Sequence, residues 1–404
     1  MKKYFKLIII WLLLGVNVTY AEEFNITSDY AILYNLNDNK VIYELNSEDK
    51  TQIASLTKIM TVIVGIEYND NLDEEVVITK DALNGIYEYT KVGFKVGNKA
   101  TVRDLLYGTM LPSGADAALA LAIHTSGSVD GFVELMNDKA KELGLENTSF
   151  DNPIGMDSND NYSTAFELAS ILKYGLNDPT FRDVFTARSY TISSINKTVK
   201  STLEGYSKSY GLDITEIDGA KSGFTDGAGL CLASIANIDD VSYLLVTIGA
   251  DTKNRSNAVR DTLEIYDYYS SNYSYQTITE KDTLLKSIPI KWGKREFYDI
   301  KAIDDIELYL ENGIRKNKIT YKYDGIEELD YKINKGDKLG VITVLYRDTE
   351  LFSFDVYLED TLEYYHPFLY GVIIVSAMVM ILSLRCMIMK KKKVNKKKRK
   401  KGVK

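Results

Sequence analysis

The order of apolar and polar positions predicts a mixed helix–strand body in the first two thirds of the chain. Two apolar runs, YAILYNL and KVIYEL, flank the polar turn NDN and predict an antiparallel hairpin. Helical runs fall at 53–68, 102–107, 116–124, 130–143, 164–176 and 256–270, and strand runs fall at 76–78, 230–237 and 241–250. Since the hairpin and the late strands are far apart in sequence, we expect an α+β fold: an antiparallel sheet flanked by helices, with edge strands from distant segments.

The pattern changes at about residue 277. Short β-like runs, from SIPIKWGK to LFSFDVYL, then alternate with Gly, Asp and Asn. This predicts a small all-β domain over 276–362 and leaves 22–275 to the α+β domain.

The N-terminus predicts a secretory signal peptide at 1–21. Three lysines precede the apolar core at 7–16, and Val18, Thr19 and Ala21 give a small-residue exit with cleavage after Ala21. The alternative is a retained anchor helix, for which this apolar stretch is short.

The C-terminus predicts one transmembrane helix over 367–389. About 22 apolar residues at 1.5 Å each reach about 33 Å, enough to cross a bilayer, and Arg385 lies near the end where it can reach the interface. The tail at 390–404 holds 11 Lys and Arg. Basic flanks stay in the cytoplasm, so the sequence predicts a single-pass membrane protein with an extracytoplasmic body.

Charge and composition narrow the function classes. All 57 acidic residues lie within 22–384, where they outnumber the basic residues, although the whole chain has a net charge of only −8. The strongly acidic segment 22–384 argues against nucleic acid as a binding partner. Two cysteines and two scattered histidines cannot build the usual zinc patterns, and no nucleotide-binding glycine motif occurs. We predict no metal, no cofactor and no disulfide.

The candidate chemistry begins in the segment IASLTKIMT. Ser55 and Lys58 are three residues apart at the start of a predicted helix, so they share a face. A serine hydroxyl needs a base, and a buried lysine can lose its proton and serve as one. Alone this spacing is weak, because a capping serine beside a surface lysine would give the same pattern.

Two further segments make the pattern specific. LPSGADAA at 111–118 and GAKSGFTDGAG at 219–229 follow in the order S-x-x-K, serine motif, K-[ST]-G, which is typical of penicillin-recognising serine enzymes. Together with KELGLENTSFDNPIGMD and YSTAFELA, they closely resemble the low-molecular-weight D-alanyl-D-alanine carboxypeptidases over about residues 28–270. The resemblance implies a β-lactamase/transpeptidase-like fold, and the all-β domain and C-terminal anchor also resemble that family.

The resemblance implies a role for each matching residue. Ser55 matches the acylated nucleophile, Lys58 the general base, and Ser113 the hydroxyl that relays a proton to the leaving group.

The remaining matches would hold the substrate. Lys221, Ser222 and Gly223 form the K-[ST]-G strand, whose lysine and serine would bind the terminal carboxylate. Arg255 matches a carboxylate-binding arginine, and the backbone N–H groups of Ser55 and Phe224 would form the oxyanion hole.

One position departs from the family pattern. The middle motif usually ends in asparagine, as S-x-N, and here residue 115 is alanine. Losing one hydrogen bond in a buried site costs about 1–3 kcal/mol, roughly ten- to a hundredfold in rate.

These observations favour a serine carboxypeptidase that trims D-alanine from the peptidoglycan pentapeptide stem, matures the cell wall and is acylated by β-lactams. Two alternatives remain open. A catalytically impaired penicillin- or wall-binding protein would explain Ala115. A β-lactamase is disfavoured, because no E-x-x-L-N-like segment lies between Ser113 and Lys221.

Overall fold

The computed structural model describes residues 25–365 and 367–401. The predicted signal peptide and His366 lie outside the described residues. The described chain divides into two compact units, the first ending at Ser271 and the second beginning at Asn272.

The first unit is built on an antiparallel sheet. Its strands are β1 (Tyr30–Asn35), β2 (Lys40–Leu45), β3 (Glu75–Val77), β4 (Lys99–Thr101), β5 (Ser189–Ile192), β6 (Lys197–Lys200), β7 (Ile217–Thr225), β8 (Gly229–Ile238) and β9 (Val241–Ala250). Five of them form the sheet β2-β1-β9-β8-β7, and β3–β4 and β5–β6 form separate two-stranded antiparallel sheets. The predicted early hairpin supplies one edge and β7, late in the unit, supplies the other, which confirms the predicted α+β fold.

Helices cover both faces of this sheet. They are α1 (Thr57–Glu67), α2 (Val102–Met110), α3 (Ala115–Ser126), α4 (Val129–Glu142), α5 (Ala165–Gly175), α6 (Pro179–Thr186), α7 (Thr202–Tyr210) and α8 (Asn257–Asn272). Successive side chains along β9 point to opposite faces of the sheet. Leu244 and Val246 join the main core with α1 and α5, whereas the ring of Tyr243 lies 5.9 Å from that of Tyr266 on α8.

The helices α6 and α7 are absent from the sequence prediction. The helix α6 is only eight residues long, although it buries Phe181, Val184 and Phe185. In α7 only Leu203 is buried, so no apolar period marks this helix. The helix α6 does carry a start signal, since Asp178 caps it and Pro179 occupies its first turn.

The second unit is all-β up to its C-terminal helix. Its strands are β10 (Tyr273–Thr279), β11 (Leu284–Pro289), β12 (Phe297–Lys301), β13 (Ile306–Glu311), β14 (Ile319–Gly325), β15 (Lys338–Tyr346) and β16 (Thr349–Tyr357). They pair as β10–β13, β11–β12 and β14–β15–β16. Ile288, Ile300 and Ile342 belong to a core separate from that of the first unit. Strand β10 begins three residues before the predicted boundary at 276.

One helix, α9 (Pro367–Lys401), follows the second unit. Its segment Tyr370–Lys393 has 24 residues. The most apolar 18-residue window of this segment has a mean hydropathy of 2.4, and none of that window is buried against the rest of the protein. The helix is long and apolar enough to cross a membrane.

Candidate active site

Ser55 lies in a 3₁₀ turn, Ala54–Leu56, that leads directly into α1. The turn therefore precedes the helix that was predicted to contain Ser55. Ala54 has a left-handed φ of 45°. The loop that carries Gly155 packs directly against the carbonyl group of Ala54. Gly155 has a φ of +79°, and a Cβ at that position would lie 2.0 Å from the Ala54 carbonyl oxygen. Only glycine fits there, so backbone contact holds the turn on this side.

The Lys58 side chain is buried against Ser55. Its Nζ donates to Ser55 Oγ at 2.8 Å and to the carbonyl oxygen of Ile154 at 2.5 Å. Lys58 is 1% exposed, and within the described ranges it makes no ion pair with a carboxylate. Burial lowers the pKa of Lys58 to about 7. Near neutral pH, much of this group is an uncharged amine that can accept a proton.

A second buried lysine, Lys221, connects the other two sequence motifs, because it contacts Ser113. Lys221 Nζ, on β7, donates to Ser113 Oγ at 2.9 Å and to the Ser222 carbonyl oxygen at 2.6 Å. Burial, and then the charge of Lys58, lower the pKa of Lys221. Ser113 lies between α2 and α3 with a left-handed φ of 60°. The structure thus brings all three sequence motifs to one place.

Strand β7 runs directly beside the Ser55 turn. A Cβ at Gly223 would lie 3.1 Å from both the Ala54 Cβ and the Ser55 backbone nitrogen, so a side chain there would push the strand away from the Ser55 turn. One position earlier, Ser222 Oγ lies 2.7 Å from the Thr202 hydroxyl of α7. Helix α7, absent from the sequence prediction, therefore orients a predicted site residue.

The other two predicted residues lie together at the exposed rim. The guanidinium carbon of Arg255 lies 4.0 Å from the centroid of the Phe224 ring, a cation–π contact. Phe224 is 37% exposed. The stacking holds Arg255 next to the end of β7.

Ala115 is buried at the start of α3 and offers Lys58 no polar side chain. The Ile154 carbonyl supplies the second acceptor for Lys58 instead. Asn152 shapes the loop that carries this carbonyl, because its Oδ1 accepts the N–H groups of Ile154, Gly155 and Met156 at 3.2, 2.7 and 2.9 Å. The sequence analysis missed Asn152, although an Asn-Pro pair followed by glycine is a turn signal.

Asp116 is the other residue that sequence reasoning missed. Its buried carboxylate accepts the N–H groups of Val92, Gly93 and Phe94 at 2.8, 2.7 and 3.0 Å. These bonds fasten the 92–94 loop to the start of α3, next to Ser113. In the part of the chain that the structure describes, no group of three His, Cys, Asp or Glu side chains could hold a metal ion.

Comparison with known families agrees with this geometry. The profile of the D-alanyl-D-alanine carboxypeptidase family matches residues 17–252, and that of the penicillin-binding protein 5 C-terminal domain matches 273–364. The first match covers more than half of the chain, so the chain belongs to the D-alanyl-D-alanine carboxypeptidase family of serine-type hydrolases. The predicted family, fold class and enzyme class are confirmed.

Particular relatives extend the match over most of the chain. The chain is 29% identical over 339 residues to the D-alanyl-D-alanine carboxypeptidase DacF of Bacillus subtilis, covering 80% of this chain and 82% of that protein. It is 37% identical over 207 residues to a D-alanyl-D-alanine carboxypeptidase of Streptomyces strain K15, covering 48% and 71%. Penicillin-binding protein 5 from Haemophilus influenzae shares the fold, with a TM-score of 0.64, 23% identity, and 85% and 100% of the two chains covered.

Proposed function

We propose that the protein releases the terminal D-alanine of peptidoglycan pentapeptide through an acyl-enzyme on Ser55. The observation that carries this proposal is the buried amine of Lys58, which lies 2.8 Å from Ser55 Oγ and has a pKa of about 7. Ser55 Oγ attacks the carbonyl carbon of the penultimate D-alanine while its proton passes to Lys58 Nζ. The peptide bond breaks, D-alanine leaves, and water hydrolyses the ester.

Ser113 delivers the proton that the leaving amine needs. Its oxygen accepts a hydrogen bond from Lys221 Nζ, so its own O–H is free to donate. The proton taken from Ser55 then returns through Lys58 and Ser113 to the amine of D-alanine. No other reactant is needed for acylation.

The terminal carboxylate of the substrate is bound by Lys221, Ser222 and Arg255. Lys221 and Ser222 lie on β7, and Arg255 stacks on the Phe224 ring near the end of that strand. A carboxylate prefers such cationic and hydroxyl donors. The backbone N–H groups of Ser55 and Phe224 form the oxyanion hole. The close approach of β7 to Ser55 at Gly223 supports this pairing of donors.

The protein is a single-pass membrane protein whose two units face the cell wall. This assignment is supported by the apolar segment of α9 and by the lysine-rich residues at its C-terminal end. Penicillins, which acylate the serine that attacks the substrate, are its covalent inhibitors.

The test follows free D-alanine from a peptide ending in D-Ala-D-Ala, with the full chain in detergent. Ser55→Ala should abolish both D-alanine release and penicillin labelling. Ser353→Ala, an exposed serine of the second unit, should change neither. A folded protein that binds penicillin on Ser55 but releases no D-alanine would overturn the carboxypeptidase proposal.

Ala115 favours a second candidate, a penicillin- or wall-binding protein with impaired turnover. Ala115→Asn discriminates between the two. A gain in turnover of tenfold or more, about 1.4 kcal/mol or more, would indicate an impaired site. An unchanged rate would mean that the Ile154 carbonyl already orients Lys58.

A further inference from the structure

The turn at 290–295 is fastened to the last residues before α9. Lys294 N–H donates to the Glu363 carbonyl at 2.8 Å, and Tyr365 N–H donates to the Trp292 carbonyl at 2.7 Å. Helix α9 begins at Pro367, two residues after Tyr365. Since one residue spans at most about 3.6 Å, the Trp292 backbone lies within roughly 10 Å of the start of α9.

Large aromatic side chains are exposed at this end of the second unit. Trp292 is 58% exposed, Tyr331 71% and Tyr365 49%. The loop that carries Tyr331 is tied to the same place, because the Tyr364 hydroxyl donates to the Asp330 carbonyl at 2.6 Å. Three exposed aromatic residues from three segments therefore gather where the chain enters α9. We call Trp292, Tyr331 and Tyr365 the aromatic end.

The cations of the turn at 290–295 are already paired, and Lys332, beside Tyr331, lies 6.0 Å from the centroid of the Tyr331 ring. Three basic residues of the turn each meet a carboxylate, in the pairs Lys291–Glu328, Lys294–Glu363 and Arg295–Asp360 at 3.6, 2.8 and 3.0 Å. The turn is therefore aromatic and locally balanced in charge. It suits an uncharged amphipathic layer better than a strongly anionic partner.

We propose that the aromatic end rests in the interfacial layer of the bilayer that holds α9. Tryptophan and tyrosine combine an apolar ring with a polar tip, and both favour the level of the lipid headgroups. The short link from Tyr365 to α9 keeps these rings at that level. The second unit is then held against the membrane at this end. The inference rests on the membrane anchoring proposed above.

The test uses Trp292 as its own probe. The sequence contains two tryptophans, Trp11 and Trp292, so the full chain with Trp11→Phe leaves Trp292 alone. We would reconstitute this protein into phosphatidylcholine vesicles and measure quenching of its fluorescence. Lipids brominated near the headgroup should remove about half of the emission, and lipids brominated at the chain ends should remove less. Aqueous iodide should quench weakly.

A matched variant moves the probe to the opposite end of β11. Leu284 is 52% exposed, close to the value for Trp292, and lies five residues before Pro289, roughly 17 Å along the strand. In Trp292→Phe with Leu284→Trp, bromolipids should not quench and iodide should. Equal bromolipid quenching at both positions would overturn the assignment to the aromatic end.

Vesicle flotation separates the two proposals. Protein that floats with the vesicles while Trp292 stays unquenched would overturn the docking and leave the anchoring intact. Protein that does not float would overturn both. A requirement for anionic lipid would also contradict the docking proposed here, because the three cations of the turn at 290–295 are paired with carboxylates.

Discussion

Two lysines of the first unit and one lysine of the second lie in opposite environments. In the first unit, Lys58 and Lys221 are fully buried, and neither is paired with a carboxylate in the described parts of the chain. In the second unit, Lys338 is half-exposed and pairs with Asp355 at 2.7 Å. An exposed pair is worth about 0–1 kcal/mol, whereas burying an unpaired ammonium costs several. The unfavourable arrangement is found at the candidate active site, where the proposed chemistry needs a neutral amine at Lys58. Lys139 is also buried in the first unit, but it pairs with Glu67 at 2.8 Å. A buried lysine without a carboxylate partner therefore marks the site, and a paired one does not.

Replacing the buried lysine tests this contrast most strongly. Lys58→Met should lower the rate of acylation by penicillin by roughly 10²–10⁴-fold, because the base is lost. The protein should remain folded, since methionine fills a similar volume without a buried amine. Acylation is followed with a fluorescent penicillin and stability by Tm.

Lys338→Met is the matched control in the second unit, and it should change neither the acylation rate nor Tm appreciably. If both variants acylated at the same rate, Lys58 would not be the base.

Two left-handed glycines give the next comparison. At Gly155 an added Cβ meets backbone at 2.0 Å, whereas at Gly313, with a φ of +91°, nothing lies within 4 Å. Gly155→Ala should displace the Ser55 turn, lower acylation by about a hundredfold and destabilise the protein by several kcal/mol.

Gly313→Ala should destabilise the protein only through backbone strain, by about 1–2 kcal/mol, and should leave the acylation rate unchanged. Denaturant unfolding and the acylation rate measure the two effects separately. A Gly155→Ala protein with normal acylation would show that the contact does not hold the turn.

The sequence alone is sufficient to predict contacts between residues that are close together in the chain. The three-residue spacing predicts that Ser55 and Lys58 meet, and the polar turn predicts the β1–β2 hairpin. The bond between Lys221 and Ser113 joins residues 108 apart. The resemblance to a family implied that both belong to one site, but it did not predict this bond. The Ile154 carbonyl was not predictable, because a backbone acceptor carries no side-chain signal.

Asn152 should act as a positioning residue through the Ile154 carbonyl. Asn152→Ala removes an acceptor for three N–H groups, so the loop should loosen and acylation should fall about tenfold. Asn152→Asp keeps an oxygen at the same place and should retain most of the rate. A purely structural role would lower Tm in Asn152→Ala without shifting the midpoint of the pH–rate profile. An upward shift of that midpoint is expected, because a more open loop admits water around Lys58.

The smallest effect is the dependence on pH, and it belongs to the first unit. With a Lys58 pKa of about 7, acylation should rise about tenfold from pH 6 to pH 8 and then level off, since only the neutral amine accepts the proton. Stability should rise in the same direction. Above pH 7 the unfolded chain still protonates this lysine while the folded chain does not, so the free energy of unfolding increases until the ordinary lysine pKa is reached. Lys58→Met should flatten the rate profile, whereas Lys338→Met should preserve it. A midpoint above pH 9 in the parent protein would mean that Lys58 is charged at neutral pH and that its burial does not prepare it as a base.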